Sequence, residues 1–200
     1  DLHSFPTRRS SDLLSKERST LLRVRSPYVV AIRDVVIEGS TFAIVMDYVD
    51  GGDLSGLLRA EGPLPPARLA ALGSRIARGL AAVHHAGVVH RDVKPANILL
   101  SAARPGHDGV AAAPRGTPAG GGQGAVVPRV GDFGVARICD TLTAAQATGA
   151  IGTPLYMAPE ILSPQAPTPA ADVYSLGVML YVMACAVPPF LGEQIGRAHV

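Results

Sequence analysis

A short segment, HRDVKPANILL at 90–100, carries three side chains suited to chemistry on a substrate with negatively charged oxygen atoms. Asp92, Lys94 and Asn97 lie within six positions, after a helical pattern and before an apolar run. A second acidic segment, DFG, contains Asp132. One carboxylate can accept a proton from a hydroxyl group, and carboxylate and amide oxygens are hard ligands for a metal such as Mg²⁺. These residue types suit phosphoryl transfer, in which a protein mainly positions the reactants and neutralises charge.

Several predicted elements must position these residues. Residues 15–24 are typical of the end of a helix, and the apolar segments 32–38 and 41–49 predict a hairpin joined by Gly39 and Ser40. An amphipathic helix ending at Gly87 then leads into the 90–100 segment, because apolar residues recur at spacings of three and four. Those residues are Leu69, Leu72, Ile76, Leu80 and Val83.

The second half of the chain predicts more helix than strand. Segment 102–125 is rich in Ala, Gly and Pro, so we expect a disordered surface loop. A short strand precedes Asp132, and an apolar run at 173–187 predicts a buried core helix. Asp172 precedes that run and is well placed as the helix N-cap. Short strands followed mainly by helices indicate an α+β fold.

Composition excludes some classes of protein. The 200 residues are 48% hydrophobic, which is sufficient for a sizeable core, and the net charge of +2 with scattered Lys and Arg does not favour nucleic-acid binding. Cys139 and Cys185 have no metal-site spacing and are expected to be reduced, buried thiols, in keeping with a cytoplasmic location. The 173–187 run is shorter than the roughly 20 residues that span a membrane, although an anchor elsewhere in a longer parent protein stays open.

Both ends of the chain differ in composition from the rest. The residues from Arg9 to Leu13 and those after Gln194 can be back-translated to one DNA string on opposite strands, and that string resembles a common sequencing-library adapter. We therefore expect 1–13 and 195–200 to be adapter-derived tails, excluded from fold reasoning. The informative chain is then 14–194.

Three motifs occur in the order HRDxKPxN, DFG and GTPLYMAPE. With them the chain resembles the catalytic domain of eukaryotic-type (Hanks-type) serine/threonine protein kinases, of the bacterial kind. The resemblance implies a protein kinase-like two-lobe fold. Residues 14–49 would be an N-lobe remnant and hinge with the family's helix αC and its fourth and fifth strands, and 50–194 would be most of the helical C-lobe, with the 102–125 insert.

The resemblance assigns roles in the chemistry. Asp92 is similar to the catalytic base that accepts or orients the substrate hydroxyl proton, and Lys94 is similar to the lysine that contacts the transferred phosphate. Asn97 and Asp132 look like the ligands of Mg²⁺, which Mn²⁺ could replace. Leu99 would form the apolar floor beneath the adenine of ATP.

The resemblance also implies an ATP-binding hinge in VMDYVDGGDL. Met46 would be the gatekeeper, Asp47 and Val49 would contribute backbone groups, and Asp53 would reach the ribose. Core filling by Met46 and helix capping by Asp53 remain compatible readings. Glu17, ten residues before Pro27, is placed as the αC glutamate that pairs with an ATP-binding lysine, although a Glu on a helix is more often a solvated charge.

Further roles follow from the activation segment. Thr153 resembles the threonine that bonds near the catalytic loop, which is the 90–100 segment in this sequence. Thr148 is the expected phosphorylation site, and Arg91 could pair with its phosphate. Glu160 resembles a structural glutamate whose arginine partner comes from a later helix, so it is expected to be unpaired here. Asp172 resembles the aspartate that braces the catalytic loop. His90 is expected to be a structural core residue.

The resemblance implies a kinase that phosphorylates Ser or Thr of proteins with MgATP, including copies of itself in trans. No G-x-G-x-x-G loop or strand lysine precedes Glu17 in this sequence, and Lys16 lies on the predicted helix itself. We therefore expect this chain to be inactive alone. The alternative function is a pseudokinase or kinase-like binding module.

Overall fold

The computed structural model describes residues 8–38, 41–102, 126–133, 154–162 and 166–189. The predicted 102–125 insert therefore lies almost wholly outside the described residues. Four α-helices occur in the described part: α1 (Arg8–Arg23), α2 (Leu54–Glu61), α3 (Pro66–His85) and α4 (Pro169–Cys185). Four strands accompany them: β1 (Ile32–Glu38), β2 (Thr41–Met46), β3 (Ile98–Ala102) and β4 (Val126–Val130).

The predicted hairpin is present as the antiparallel pair β1–β2, whose ends meet where Glu38 pairs with Thr41. Strand β2 ends at Met46, three residues earlier than the apolar pattern predicted. The hinge residues that follow leave the strand because their hydrogen bonding changes. The Asp47 N–H donates to the carbonyl of Ala31, outside strand β1.

Helix α3 buries the apolar face that its periodicity predicted. Leu72, Ile76, Leu80 and Val83 are buried and Leu69 is partly buried. The helix ends two residues before Gly87, whose φ of +78° suits glycine because it has no Cβ. Burying four such side chains contributes roughly 6 to 12 kcal/mol before conformational entropy is subtracted. Helix α3 is therefore the packing centre of the domain.

A second antiparallel pair, β3–β4, lies between α3 and the hinge. Leu99 pairs with Arg129 in this ladder and also forms an isolated bridge with Asp53. Val130 exchanges backbone hydrogen bonds with Tyr28 and Val30 at 2.9 Å each. These contacts fix β3 and β4 against the segment that enters the first hairpin. Ala102, predicted to belong to the disordered insert, is the last residue of β3 instead.

Helix α4 begins earlier than predicted, and the N-cap assignment of Asp172 was wrong. The N-cap is Thr168, and Pro169 occupies the first turn, where its fixed φ and missing N–H are tolerated. Asp172 therefore lies inside the first turn with a side chain that is only 1% exposed.

The expectation that 173–187 is a buried helix holds for one face only. Val178, Met179 and Met183 are buried, whereas Val173, Tyr181 and Val187 are exposed. Cys185 is also exposed, so its predicted burial was wrong because it lies on this open side of the helix end. Cys139 lies outside the described residues. No helix in the described ranges is both long and apolar enough to cross a membrane.

Helix α1 begins at Arg8, seven residues before the predicted helix segment at Ser15. It therefore includes part of the 1–13 stretch that was expected to be an adapter-derived tail. The origin of that stretch, and of 195–200, stays a prediction.

Candidate active site

Asp172 holds the start of the HRD segment from below. Its two carboxylate oxygens accept the backbone N–H groups of His90 and Arg91, each at 2.8 Å. Arg91 adopts a φ of +69°, a region that costs a non-glycine residue energy unless its surroundings fix it. The buried carboxylate supplies that restraint, as the predicted bracing role requires.

A third contact to Asp172 comes from a residue that sequence reasoning did not assign. His84 Nε2, near the end of α3, lies 2.6 Å from Asp172 Oδ2. Burial by itself raises the pKa of Asp172, but the hydrogen bonds from His84, His90 and Arg91 together lower it below the ordinary value. The carboxylate therefore stays charged, and it joins α3, α4 and the catalytic loop.

His90 links the HRD segment to the DFG segment. It is 1% exposed, and burial lowers its pKa, although the charge of Asp172 partly opposes the shift. A neutral imidazole has one donor nitrogen and one acceptor nitrogen. Nε2 lies 2.9 Å from the carbonyl of Gly131 and must donate, and Nδ1 accepts the Asp92 N–H at 3.3 Å. One tautomer satisfies both contacts, in keeping with the predicted structural role.

The three residues that opened the sequence analysis do come together. Lys94 Nζ lies 2.7 Å from Asp92 Oδ2, and Asn97 Nδ2 donates to the same oxygen at 2.9 Å and to the Asp92 carbonyl at 2.7 Å. A short 3₁₀ helix, Pro95–Asn97, turns the chain back so that these contacts form. The side chain of Asp92 is 42% exposed. A hydroxyl group from solvent or from a substrate can therefore reach the carboxylate.

Asp132 follows Gly131, whose backbone is hydrogen-bonded to Asn97 of the Asp92 cluster. The Gly131 N–H donates to the Asn97 carbonyl at 2.9 Å. Asp132 is exposed and has a φ of +55°, so the backbone leaves the extended conformation of β4 at this residue. Because Asn97 uses its amide nitrogen on Asp92, its side-chain oxygen is the atom left for a cation. Asn97 and Asp132 carry oxygen atoms of the kind that a hard divalent ion such as Mg²⁺ prefers, and their role as its ligands stays a prediction.

Asp47 and Val49, which the sequence placed in the strand and hinge, lie after β2 because the strand ends at Met46. The Asp47 N–H is already bonded to Ala31, and its carboxylate is held by Arg33 at 2.6 and 2.9 Å, which lowers its pKa. Its carbonyl is then the backbone group left for a ligand. Met46 and Val49 are half-buried beside it, and Leu99 on β3 is half-buried as well. The adenine-binding roles of these residues stay predictions.

Asp53 caps a helix, the alternative that the sequence left open. Its Oδ1 accepts the Gly56 N–H at 2.7 Å, which satisfies one of the free N–H groups at the start of α2. The other carboxylate oxygen, Oδ2, is available to accept a hydrogen bond from a ribose hydroxyl. The ribose contact stays a prediction.

The remaining predicted residues are dispersed. Glu17 is buried on α1, and Arg91 is partly buried in the catalytic loop. Thr148 and Thr153 lie outside the described residues. The expectation that Glu160 is unpaired was wrong: it is exposed on the 3₁₀ helix Pro159–Leu162 and is not without a partner. Its charge is hydrated there, so it carries no large desolvation cost.

His84 belongs to none of the motifs in the sequence, so the sequence did not assign it a role. A polar residue near the end of an otherwise apolar helix stripe, one position from Val83, was the available signal. Spacing alone could not identify its partner, because Asp172 lies 88 residues away.

In the described ranges, no group of three or more His, Cys, Asp or Glu side chains could hold a metal ion.

Comparison with known proteins agrees with this geometry. The family model described as "Protein kinase domain" matches residues 5–199. The chain belongs to the protein kinase family, as the three ordered motifs indicated.

Two curated relatives come from Streptomyces coelicolor. The chain is 42% identical over 177 residues to serine/threonine-protein kinase PkaA, covering 88% of this chain and 29% of the relative. It is also 42% identical over 188 residues to serine/threonine-protein kinase PkaB, covering 92% of this chain and 42% of the relative. The chain thus spans less than half the length of these relatives.

A solved structure shows the same fold. The crystal structure of Rad53 1–466 in complex with AMP-PNP superposes with a TM-score of 0.66 at 25% identity, covering 96% of this chain and 44% of that one. The α+β, kinase-like fold class predicted from the sequence is confirmed.

Proposed function

We propose that the protein to which this chain belongs is an ATP-dependent protein kinase that transfers the γ-phosphate to Ser or Thr hydroxyls of proteins. The observation that carries the proposal is the cluster in which Lys94 and Asn97 contact one oxygen of the partly exposed Asp92 carboxylate. A partly exposed carboxylate beside a lysine can accept a hydroxyl proton while the lysine neutralises charge on a phosphate. Asp92 is therefore the proposed catalytic base.

The rest of the site supports the same chemistry. Asn97 and Asp132 would hold Mg²⁺, which neutralises charge on the ATP phosphates when it is bound. Asn97 also orients Asp92, because its amide nitrogen bonds both the side chain and the carbonyl of that residue. Asp172 accepts the His90 N–H, and the His90 side chain contacts the Gly131 carbonyl, so these two residues fix the HRD segment relative to the DFG segment.

Regulation by phosphorylation belongs to the same proposal. Thr148 would be phosphorylated in trans by a second copy, and Arg91 would pair with the phosphate through charge-assisted hydrogen bonds. Protein substrates other than the chain itself would carry Ser or Thr acceptors.

We further propose that residues 1–200 alone do not transfer phosphate at a useful rate. A kinase holds the α- and β-phosphates of ATP with a Gly-rich loop and a strand lysine, and no such pair precedes Glu17 in this sequence. Glu17 is buried on α1 and would be the partner of that lysine.

The test uses two proteins. The 200-residue chain is incubated with MgATP and a generic acceptor protein, and a chimera adds an N-terminal kinase segment with a Gly-rich loop and strand lysine. We expect phosphate transfer by the chimera only, and its loss by about 10³-fold or more in Asp92→Asn. Asp34→Asn is the matched control, because Asp34 is a carboxylate on strand β1 outside the site.

Each failure has a separate meaning. Activity of the chain alone that disappears in Asp92→Asn would overturn the inactivity of residues 1–200. An active chimera that is indifferent to Asp92→Asn would overturn the assignment of the base. A folded chimera that binds MgATP without transferring phosphate would favour a kinase-like binding module.

A further inference from the structure

A basic cavity lies away from the candidate active site, where the C-terminal ends of α1 and α3 meet. Its volume is about 460 Å³. Arg23 and Arg25 come from the end of α1 and the residues just after it, and His85 is the last residue of α3. Val24, Ala82 and Ala86 complete the lining. The cavity therefore has a small apolar floor and a rim of three nitrogen-bearing side chains, and the lining contributed by the described residues contains no carboxylate.

The floor of the cavity is fixed by the core. Val24 is 2% exposed and packs in one apolar cluster with Val83 and Val88, which flank the end of α3. The two arginines therefore project from a segment whose backbone cannot drift far from α3. This anchoring reduces the conformational entropy that a ligand would have to remove on binding.

The arginines keep most of their donors. Arg23 donates one N–H to Thr20 Oγ1 at 3.4 Å, and Arg25 donates one to the Val24 carbonyl at 3.3 Å. A guanidinium has five N–H donors, so about four remain on each. Neither arginine forms an ion pair with a carboxylate in the described part of the chain. Arg25 contributes to the lowered pKa of Asp47, but the hydrogen bond from Arg33 is the main cause.

The charges of the two arginines and of the two helix ends determine whether the cavity favours an anion or a cation. Each helix C-terminus carries about half a negative charge, so the two ends together offset about one of the two guanidinium charges. Roughly one positive charge remains, before any contribution from His85. The cavity thus favours an anion, and the forked donors of two arginines match the several oxygens of a phosphate group.

We propose that this cavity binds a phosphate-type dianion, either inorganic phosphate or the phosphate of a phosphorylated side chain. The bound group would bridge the end of α1 to the end of α3. Because α1 carries the buried Glu17, occupancy would restrain the helix on which that residue lies. The inference does not depend on catalysis by this chain.

The experiment measures binding of inorganic phosphate to the 200-residue chain by NMR at constant ionic strength, adjusted with NaCl. Affinity should be modest and saturable below about 50 mM, because exposed charges interact weakly in salt. Arg23→Gln combined with Arg25→Gln should weaken binding by several-fold, because the charges and forked donors of both guanidinium groups are lost. The signals that shift should include those of Val24 and Ala86.

Arg59→Gln is the matched control. Arg59 also lies in the last turn of a helix and donates to a hydroxyl four residues earlier, at 2.9 Å from Ser55. It is remote from this cavity lining, so phosphate binding should match that of the unchanged chain. Absence of saturable binding, or equal binding by the double variant, would overturn the proposal.

A phosphoserine peptide distinguishes the two sources of the anion. If the peptide binds about tenfold tighter than inorganic phosphate, contacts beyond the phosphate contribute and a phosphorylated side chain is the ligand. If the two affinities are equal, the cavity recognises the free anion. Both results retain the site, provided that the variant carrying Arg23→Gln and Arg25→Gln binds more weakly than the Arg59→Gln control.

Discussion

The catalytic loop and the β1–β2 hairpin are held in place by opposite means. The loop rests on one buried carboxylate, Asp172, which accepts two backbone N–H groups and contacts His84. The hairpin is tied by exposed ion pairs, Arg18 with Asp34 and Arg33 with Asp47. Exposed pairs contribute little because water and salt screen them.

Apolar packing differs in the same direction. On the hairpin, Ile32 and Val35 are buried but Val36 and Val45 on the other face are 41% and 47% exposed. Around the catalytic loop, Val93 and Ile98 are 0 to 1% exposed. The region that positions Asp92 is therefore expected to open only with global unfolding, while the hairpin can open locally. The precision of the site therefore depends on the buried contacts around the catalytic loop.

The largest effect should follow from removing the carboxylate beneath the loop. Asp172→Ala leaves the N–H groups of His90 and Arg91 without their buried acceptor and is expected to lower the free energy of unfolding by about 3 to 5 kcal/mol. Urea denaturation measures the change.

Asp34→Ala is the comparison variant on the hairpin. Asp34 also has a lowered pKa, caused mainly by the hydrogen bond from Arg18, but it is exposed to solvent. Its removal should change stability far less than the Asp172 substitution. Equal effects of the two substitutions would contradict the contrast between the regions.

A smaller effect should follow from adding a methyl group where α3 packs against Tyr28 and Val130, between the two regions. A Cβ on Gly79 of α3 would lie 2.5 Å from the Tyr28 carbonyl and 2.9 Å from Val130 Cγ2. The same carbonyl accepts the Val130 N–H. Gly79→Ala is therefore expected to cost about 1 to 3 kcal/mol by overpacking.

Hydrogen exchange locates that effect, and Gly177→Ala controls for helix propensity. Gly177 lies in α4 with no atom near its ideal Cβ position, so alanine there should be neutral or stabilising by up to about 1 kcal/mol. In Gly79→Ala, faster exchange should begin at Val30 and in β1. Exchange that accelerates only in the catalytic loop would show that this joint does not connect the regions.

Local patterns were sufficient to predict much of this fold. The three- and four-residue spacing along α3 and the short Gly39–Ser40 connection each specify an element through interactions near in sequence. The gathering of Asp92, Lys94 and Asn97 was also predictable, because a proline-started turn brings residues five positions apart together.

Long-range partners were beyond such reasoning. The contact of His84 with Asp172 joins residues 88 positions apart, and the proline at 169 moved the start of α4 ahead of Asp172. The exposure of Glu160 and Cys185 depends on what packs against their helices, which no local spacing records. Burial by distant elements thus accounts for the misplaced residues.

The smallest expected effect is a pH dependence of stability, which differs between the catalytic loop and the hairpin. Burial lowers the pKa of His90, so the folded protein binds fewer protons than the unfolded chain below the ordinary histidine value of about 6.5. Stability should therefore fall as pH decreases from about 6.5, by at most about 1.4 kcal/mol per pH unit. The lowered pKa values of Asp34 and Asp47 act in a lower window: their stabilisation is complete above the ordinary value of about 4 and is lost as pH falls through the folded-state values.

Urea denaturation between pH 7 and pH 5 tests this separation, since the hairpin carboxylates contribute almost constantly there. His90→Gln should remove the slope whatever it does to stability at pH 7, because it removes the buried titrating group. His85→Gln, in phosphate-free buffer, should keep the slope, because His85 is exposed. A flat profile for the unchanged chain, or a slope that survives His90→Gln, would show that His90 is not the group coupling the catalytic loop to pH. A slope lost only in His90→Gln would assign the acid sensitivity above pH 5 to the catalytic loop, since the hairpin carboxylates titrate below that range.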